Sequence, residues 1–296
     1  MLAICVGVAD VRREPDAESE LVTQALMGAP AEPGTAQDGW QSVRLVDYEG
    51  WVRFAHLASA PTPSENRRVI VVTALSTPLF SAPEEPGAEK EPDEAAMLFL
   101  STVLPLADLS GHPDLLKVAL PGGTFGWVRA GDVAIRPADQ PFPQAGVDTV
   151  IATAQRFLGT PYHWGGTTCQ GIDCSGLVQL CFHVAGYHIP RDSRQQIAAL
   201  DTEPVGVPAP GDLLFYAKEG RIVHVALSLG DWELIHAEGV KWNTVLCQSM
   251  DPAHADRYNH RLVELYCGAR RVLPINSPDF NNTDSSRPTL TEPAKA

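Results

Sequence analysis

A cysteine at the head of an apolar helix, and two histidines flanking a turn, are the residues whose types and spacing could do chemistry in this sequence. In Gly171-Ile-Asp-Cys-Ser-Gly-Leu-Val-Gln, the polar Asp173 stands just before the periodic apolar run Leu177, Val178, Leu180, Cys181, the pattern of a capped helix N-terminus. Cys174 then lies in the first turn, where unpaired backbone N–H groups and the positive end of the helix dipole favour the thiolate, the nucleophilic form. Gly171 and Gly176 leave room for a substrate backbone. A thiolate needs a base and a group that orients the base. Of nine histidines, His224 in Ile-Val-His-Val-Ala and His236 in Trp-Glu-Leu-Ile-His-Ala stand on either side of Gly230-Asp231, a hairpin signal. Antiparallel pairing about that turn sets the rings opposite or diagonal, one reaching Cys174 and the other fixing the first ring's tautomer. A slip of one residue would send them to opposite faces. Cys5, Cys181, Cys247 and Cys267 lie in apolar or alternating segments without an activating partner and read as small buried hydrophobes. Cys169 and Cys174, five apart, are not at the usual zinc-pair spacing, and no second Cys or His pair stands at zinc-finger distance from them, so neither a metal nor a cofactor is expected.

The elements that must position these residues follow from periodicity. Residues 148–158 have helical spacing, with Val150, Ala154, Phe157 and Leu158 on one face, and 174–186 form a second helix. Short strands are expected around 212–217, 222–229, 232–237 and 262–267, giving an α+β unit. Ahead of it, Trp40-Gln-Ser-Val-Arg-Leu-Val-Asp-Tyr-Glu-Gly-Trp-Val-Arg and Leu116-Lys-Val-Ala-Leu-Pro-Gly-Gly-Thr-Phe-Gly-Trp-Val-Arg end alike, an internal repeat. Short strands between Gly and Pro turns predict two small β-barrels, similar to bacterial SH3-like (SH3b) domains, with Trp51 and Trp127 structural. Pro-rich linkers follow each barrel. The expected division is 1–60 and 67–137 for the barrels, 146–273 for the α+β domain, and a disordered tail over 274–296.

Six motifs stand in order: Gly159-Thr-Pro-Tyr-His-Trp-Gly-Gly, Asp173-Cys-Ser-Gly-Leu-Val-Gln, Pro190-Arg-Asp-Ser-Arg-Gln-Gln, Pro210-Gly-Asp-Leu-Leu-Phe-Tyr, His224-Val-Ala-Leu-Ser-Leu-Gly and Ile235-His-Ala. Over roughly 147–272 the chain resembles the NlpC/P60 family of papain-like cell-wall peptidases. The resemblance implies a Cys-His-His triad: Cys174 the nucleophile, His224 the base, His236 the orienter. It also implies that the Cys174 N–H and the Tyr162 hydroxyl stabilise the oxyanion. Within that family the chain is most similar to cytoplasmic γ-D-glutamyl-L-diamino acid endopeptidases with N-terminal SH3b domains, which recycle murein peptides bearing a free N-terminal L-Ala. That implies a first barrel closing the site beside the substrate amine, with Asp192 as one carboxylate and Tyr48 offered by the barrel. Ser175 and Ser193 would contact the D-Glu part, with Asp173 on the same substrate side. The second repeat has Thr124 where the first has Tyr48, so one barrel only takes this role. Glu20 is the expected acidic companion of Tyr48, with Glu14 second.

Composition narrows the setting. With 296 residues and 44% hydrophobic content, the chain supports about two domains. No run approaches the roughly 18 apolar residues of a membrane span. A net charge of −14 repels nucleic acid and anionic membranes and opposes tight adhesion to an anionic wall. The apolar start Met1–Ala9 lacks a basic leader region and reads as a first strand, so a cytoplasmic location and reduced thiols are expected. Six acidic side chains between 84 and 94 read as a solvated loop. The expected partner is a murein tripeptide or longer stem peptide, with no nucleic acid and no membrane. Competing readings are a D,L-endopeptidase on intact peptidoglycan, an inactive wall-peptide-binding module, and an acyltransferase or amidase of related fold.

Overall fold

The computed structural model describes residues 1–63, 67–81, 97–108, 114–199 and 207–272. The acidic stretch 84–94 and the tail 274–296 lie outside the described residues. Alternating apolar positions build the first barrel from β1 (Leu2–Ile4), β2 (Val8–Arg12), β3 (Leu21–Leu26), β4 (Pro30–Gln37), β5 (Trp40–Arg44), β6 (Glu49–Arg53) and β7 (Leu57–Ser59). Their spatial order is β3-β2-β6-β5-β4-β1-β7, and Ala9, Val11, Val22, Val43 and Val52 share the core. The second set is β8 (Arg68–Val72), β9 (Ser76–Pro78), β10 (Met97–Phe99), β11 (Val103–Asp108), β12 (Leu115–Ala119), β13 (Phe125–Arg129) and β14 (Val133–Pro137). It runs β13-β12-β11-β8-β14, with β9 and β10 paired separately. The Gly-Trp-Val-Arg repeat occupies equivalent places in both. Trp51 on β6 bridges to Arg12, and Trp127 on β13 bridges to Phe80. A 3-10 turn follows each strand, at Phe54–His56 and at Ala130–Asp132.

The third unit contains α1 (Val147–Arg156), β15 (Thr167–Thr168), β16 (Gly171–Ile172), α2 (Cys174–Val184), α3 (Ser193–Ala199), β17 (Leu213–Lys218), β18 (Arg221–Gly230), β19 (Glu233–Glu238), β20 (Thr244–Ser249), α4 (His260–Leu265) and β21 (Tyr266–Arg270). Its antiparallel sheet is ordered β20-β19-β18-β17-β21. Side chains alternate across a sheet, and each face finds its own cover. Leu213, Phe215, Val225, Leu227, Ile235 and Ala237 pack with Val150 and Ala154 of α1 and Leu177, Val178 and Cys181 of α2. Leu214, Tyr216, Ala226 and Leu234 pack with Leu262 of α4. This is the expected α+β architecture, with one correction. Residues 262–267, expected as a strand, divide between α4 and β21. Asn259 caps α4 by accepting the Leu262 N–H, and Leu262 and Leu265 fall three apart on the face toward the sheet.

The three units pack on one another. Met27 of the first barrel joins the core of the second, where Gly122 N–H donates to Ser59 O at 2.9 Å. Leu75 and Leu100 of the second barrel join the core around α1 and α2, and Arg156 Nη2 donates to Thr73 O at 2.9 Å. The first barrel meets the α+β unit through Gln179 Nε2 to Asp47 Oδ2 at 2.7 Å and Thr167 N to Gln24 Oε1 at 3.1 Å. Among the described residues no helix is long and apolar enough to cross a membrane.

Candidate active site

Asp173 caps α2 as expected, with extended backbone (φ −95°, ψ 175°) and Oδ1 accepting the Gly176 N–H at 2.6 Å. Cys174 therefore opens the helix. The carboxylate does more than cap. Oδ2 accepts the Gly165 N–H at 2.9 Å, and the Arg191 guanidinium engages both oxygens, at 2.9 Å and 2.7 Å. Arg191 is 1% exposed. It also donates to Ser175 Oγ at 2.9 Å and, across the domain boundary, to Thr23 Oγ1 of the first barrel at 3.0 Å. A fork that satisfies a carboxylate bidentately is the geometry in which a buried ion pair holds its place. Both oxygens of Asp173 are thus taken up by protein donors, and Ser175 is held in the same network.

Burial pushes the Cys174 thiol up to about 12, and the Asp173 charge adds to this. The Val225 and Ser175 N–H groups and Arg191 pull the other way. Desolvation thus works against the pull of the helix terminus toward the thiolate. The Val225 N–H reaches the sulfur because the hairpin opens there. Pairing of β18 with β19 ends at Leu227 opposite Ile235, which leaves Val225 outside that ladder. Among the described contacts no hydrogen bond joins Cys174 to His224. Such bonds are commonly long before substrate binds.

Extending that register sets His236 across from Ala226, two residues from His224 and on the same face. The rings meet edge-on at 4.9 Å between centroids, with His224 Nε2 2.7 Å from His236 Nδ1. His236 Nε2 lies 3.0 Å from Gln248 Oε1, which also accepts from Asn259 Nδ2 at 2.7 Å. Burial and the neighbouring His236 lower His224 well below the ordinary imidazole value. Burial lowers His236 to about 4, against the opposing pull of Gln248 and Glu238. Burial thus favours the neutral form of both rings.

Tyr162 lies near Cys174. Burial, with Cys174 and Asp173 nearby, raises its pKa and keeps the phenol protonated. Its ring lies flat on Gly239, where a Cβ would come within 2.7 Å of the ring. From the first barrel, Tyr48 donates to Asp192 Oδ2 at 3.0 Å. Burial and Asp192 push the Tyr48 phenol up to about 12, so it remains a donor. Glu20 bridges the same boundary: Oε1 accepts from Trp164 Nε1 at 3.1 Å and Oε2 from Arg13 Nε at 2.7 Å. Arg13 in turn feels the charges of Glu20 and Asp192. Glu14, the second choice, is exposed, and its backbone N–H donates to Ser19 Oγ. Ser193 opens α3, half-buried. Arg191, Thr23, Arg13, Gln248 and Asn259 were not singled out from sequence. Arg191 alone had a signal, its place beside Asp192 in the Pro190-Arg-Asp-Ser motif.

The chain is similar to known proteins along most of its length. The NlpC/P60 family profile matches residues 159–263, and that of the bacterial dipeptidyl-peptidase Sh3 domain matches 11–57. The chain is similar to a γ-D-glutamyl-L-lysine dipeptidyl-peptidase of Bacillus cereus, 30% identical over 86% of this chain and 76% of that protein. A protein of the same name from Bacillus subtilis is 30% identical over 74% and 73%. The crystal structure of an NlpC/P60 family protein from Bacillus cereus superimposes with a TM-score of 0.74 at 26% identity, covering 93% of this chain and 100% of that one. With a relative this similar along most of its length, the chain belongs to the NlpC/P60 family of cysteine peptidases.

Proposed function

We propose that this protein is a cysteine endopeptidase that hydrolyses the γ-D-glutamyl–diamino acid bond of murein peptides carrying a free N-terminal L-Ala. The observation that carries this reading is the Tyr48–Asp192 hydrogen bond, 3.0 Å long and joining residues of different domains. It sets a barrel hydroxyl and a carboxylate beside the Arg191–Asp173 network that holds Cys174. A desolvated ammonium must be paired with carboxylate, and Glu20 stands on the same boundary. The relatives named γ-D-glutamyl-L-lysine dipeptidyl-peptidase support the bond class. We assign the amine to Asp192, Glu20 and Tyr48, and the D-Glu portion to Ser193 and Ser175. Asp173, whose oxygens are occupied, positions Cys174 and Arg191.

In the reaction, the Cys174 thiol gives its proton to His224 Nδ1 as the sulfur attacks the γ-carbonyl carbon of D-Glu. The Cys174 N–H and the Tyr162 hydroxyl stabilise the oxyanion. The His224 imidazolium then protonates the departing diamino acid amine, leaving a thioester. Water, deprotonated by His224, releases the dipeptide and restores the thiol. His236 holds the His224 ring throughout. The strand connectivity supports barrels at 1–60 and 67–137 and a catalytic domain at 146–273. The acidic net charge of −14 suits a cytoplasmic role in recycling wall peptides.

The test is mass spectrometry of the protein incubated with L-Ala-γ-D-Glu-diamino acid and its N-acetylated form. Cleavage of the free peptide alone is expected. Cleavage of both would make the enzyme a general wall endopeptidase, and cleavage of neither would leave a binding module.

A further inference from the structure

The position of the proton on the His224–His236 pair is set by groups outside it. The chain of constraint starts at Asn259, whose Oδ1 accepts the Leu262 N–H at 3.4 Å as the cap of α4. The other branch of that amide, Nδ2, must then donate, and it does so to Gln248 Oε1 at 2.7 Å. An amide oxygen only accepts, so His236 Nε2, 3.0 Å from the same Oε1, carries a hydrogen. A neutral imidazole carries one, which leaves His236 Nδ1 as a lone pair. That lone pair lies 2.7 Å from His224 Nε2. Two lone pairs do not face each other at that distance, so His224 Nε2 carries its ring's hydrogen. His224 Nδ1 is left as the basic nitrogen.

We propose that Gln248, aimed by Asn259, is a positioning residue that selects the Nε2–H tautomers of His236 and His224 and so presents His224 Nδ1 to the Cys174 thiol. The opposite arrangement would set the His236 Nε2 lone pair against Gln248 Oε1. It would also put a hydrogen on His224 Nδ1, leaving no base toward the sulfur. Gln248 is 4% exposed, and in such surroundings a mispaired polar group is costly. The chosen tautomers also suit the reaction. When His224 takes the thiol proton both its nitrogens become donors, and its Nε2–H remains bonded to His236 without rearrangement. The proposal rests on Cys174 and His224 being nucleophile and base.

The experiment is long-range proton–nitrogen NMR of the full chain with 15N-labelled histidine, which reads the protonated nitrogen of each ring without any substrate. Both rings are expected as Nε2–H, and an Nδ1–H form at either would overturn the proposal. Kinetics of two variants complete it. Gln248→Leu removes the acceptor and is expected to lower kcat about 100-fold, with KM changed less than about threefold, because a misplaced tautomer removes the base and not the binding site. Gln248→Glu keeps the acceptor, and is expected to retain turnover within about tenfold of wild type. It should also move the acid limb of kcat/KM to higher pH. Its charge would join a field already made by Glu238, on β19 with His236, and Arg261 from α4, both acting on His236, with Arg261 also acting on His224. A merely structural glutamine would lower stability without moving that limb. Wild-type kcat and pH profile in Gln248→Leu would overturn the proposal. Should Gln248→Leu not fold, the NMR spectrum and Gln248→Glu decide. The underlying reading fails separately, if Cys174→Ala keeps its turnover.

Discussion

A thiol pushed up to about 12 by burial is not a stored nucleophile. In the proposed mechanism its proton leaves for His224 as the bond to carbon forms. Cys174→Ala should lower kcat by at least about 10⁴-fold while the thermal unfolding transition stays in place, and Cys247→Ala should leave kcat unchanged. Equal behaviour of the two would remove the nucleophile assignment. The pH dependence follows with its sign. His224 works in its neutral form, and its pKa is lowered by burial and by His236. Activity is therefore present above that value and lost as pH falls through it, so the acid limb of kcat/KM should lie below the ~6.5 of a free imidazole. On the alkaline side the L-Ala amine loses its charge near pH ~8, and kcat/KM should decline there through substrate recognition. An acid limb above that of free imidazole would contradict the neutral resting pair.

At the level of elements, the β18–β19 hairpin does two things. Its turn, with Gly230, Asp231 and Trp232 all at positive φ (94°, 48° and 62°), fixes the register that brings the imidazoles together. Its open end frees the Val225 N–H for the sulfur. β19 continues into a loop held by Glu238, whose carboxylate accepts the Val240, Lys241 and Trp242 N–H groups at 2.9, 2.8 and 2.7 Å. That loop presents Gly239 as a floor for Tyr162. Gly239→Ala would force the ring to shift, because the added Cβ would approach it within 2.7 Å. The expected result is a fall in kcat of about 10- to 100-fold with little change in KM, the pattern of a lost oxyanion donor. Tyr162→Phe should reproduce it. Steady-state kinetics of both variants check this, and a Gly239→Ala enzyme with normal kcat would remove Tyr162 from the oxyanion site.

Across the whole molecule, the proposed function has the α+β unit supply the chemistry and the first barrel complete the binding end. The second barrel offers no counterpart to Tyr48, yet it braces the first. A Cβ at Gly7 would run into the Met97 carbonyl oxygen, and one at Gly28, at φ +84°, would come within 2.7 Å of Val103 O. Both contacts are backbone against backbone and cannot yield locally. Gly7→Ala should therefore tilt the first barrel away from Asp192, raising KM for the free-amine peptide about tenfold while kcat changes little. Tyr48→Phe should act in the same direction, because a hydrogen bond to a charged group is worth about 1.5–3 kcal/mol. A Gly7→Ala enzyme with unchanged KM would show that the inter-barrel contact does not reach the site.

Signals confined to a few neighbouring residues were readable in the chain. The Asp173 cap and its apolar run mark the head of α2, and the spacing of His224 and His236 about Gly230-Asp231 sets the rings opposite or diagonal, with a one-residue slip left to the fold to decide. The Gly-Trp-Val-Arg recurrence specifies two barrels of one connectivity. Such features depend on backbone geometry over a turn or two, which side-chain type and period control directly. Where partners are distant, the chain carried no comparable signal. Arg191 acquires its role from Asp173 and from Thr23 on another domain. Gln248 and Asn259 reach His236 only when β20 and α4 have packed. The segment 262–267 alternates well enough to read as a strand, and the Asn259 cap together with packing of Leu262 on the sheet turns its first half into helix. The thiol's protonation state also had to await folding: the helix terminus is a local feature that favours the charge, and burial, which opposes it, exists only once the domains have closed around the sulfur.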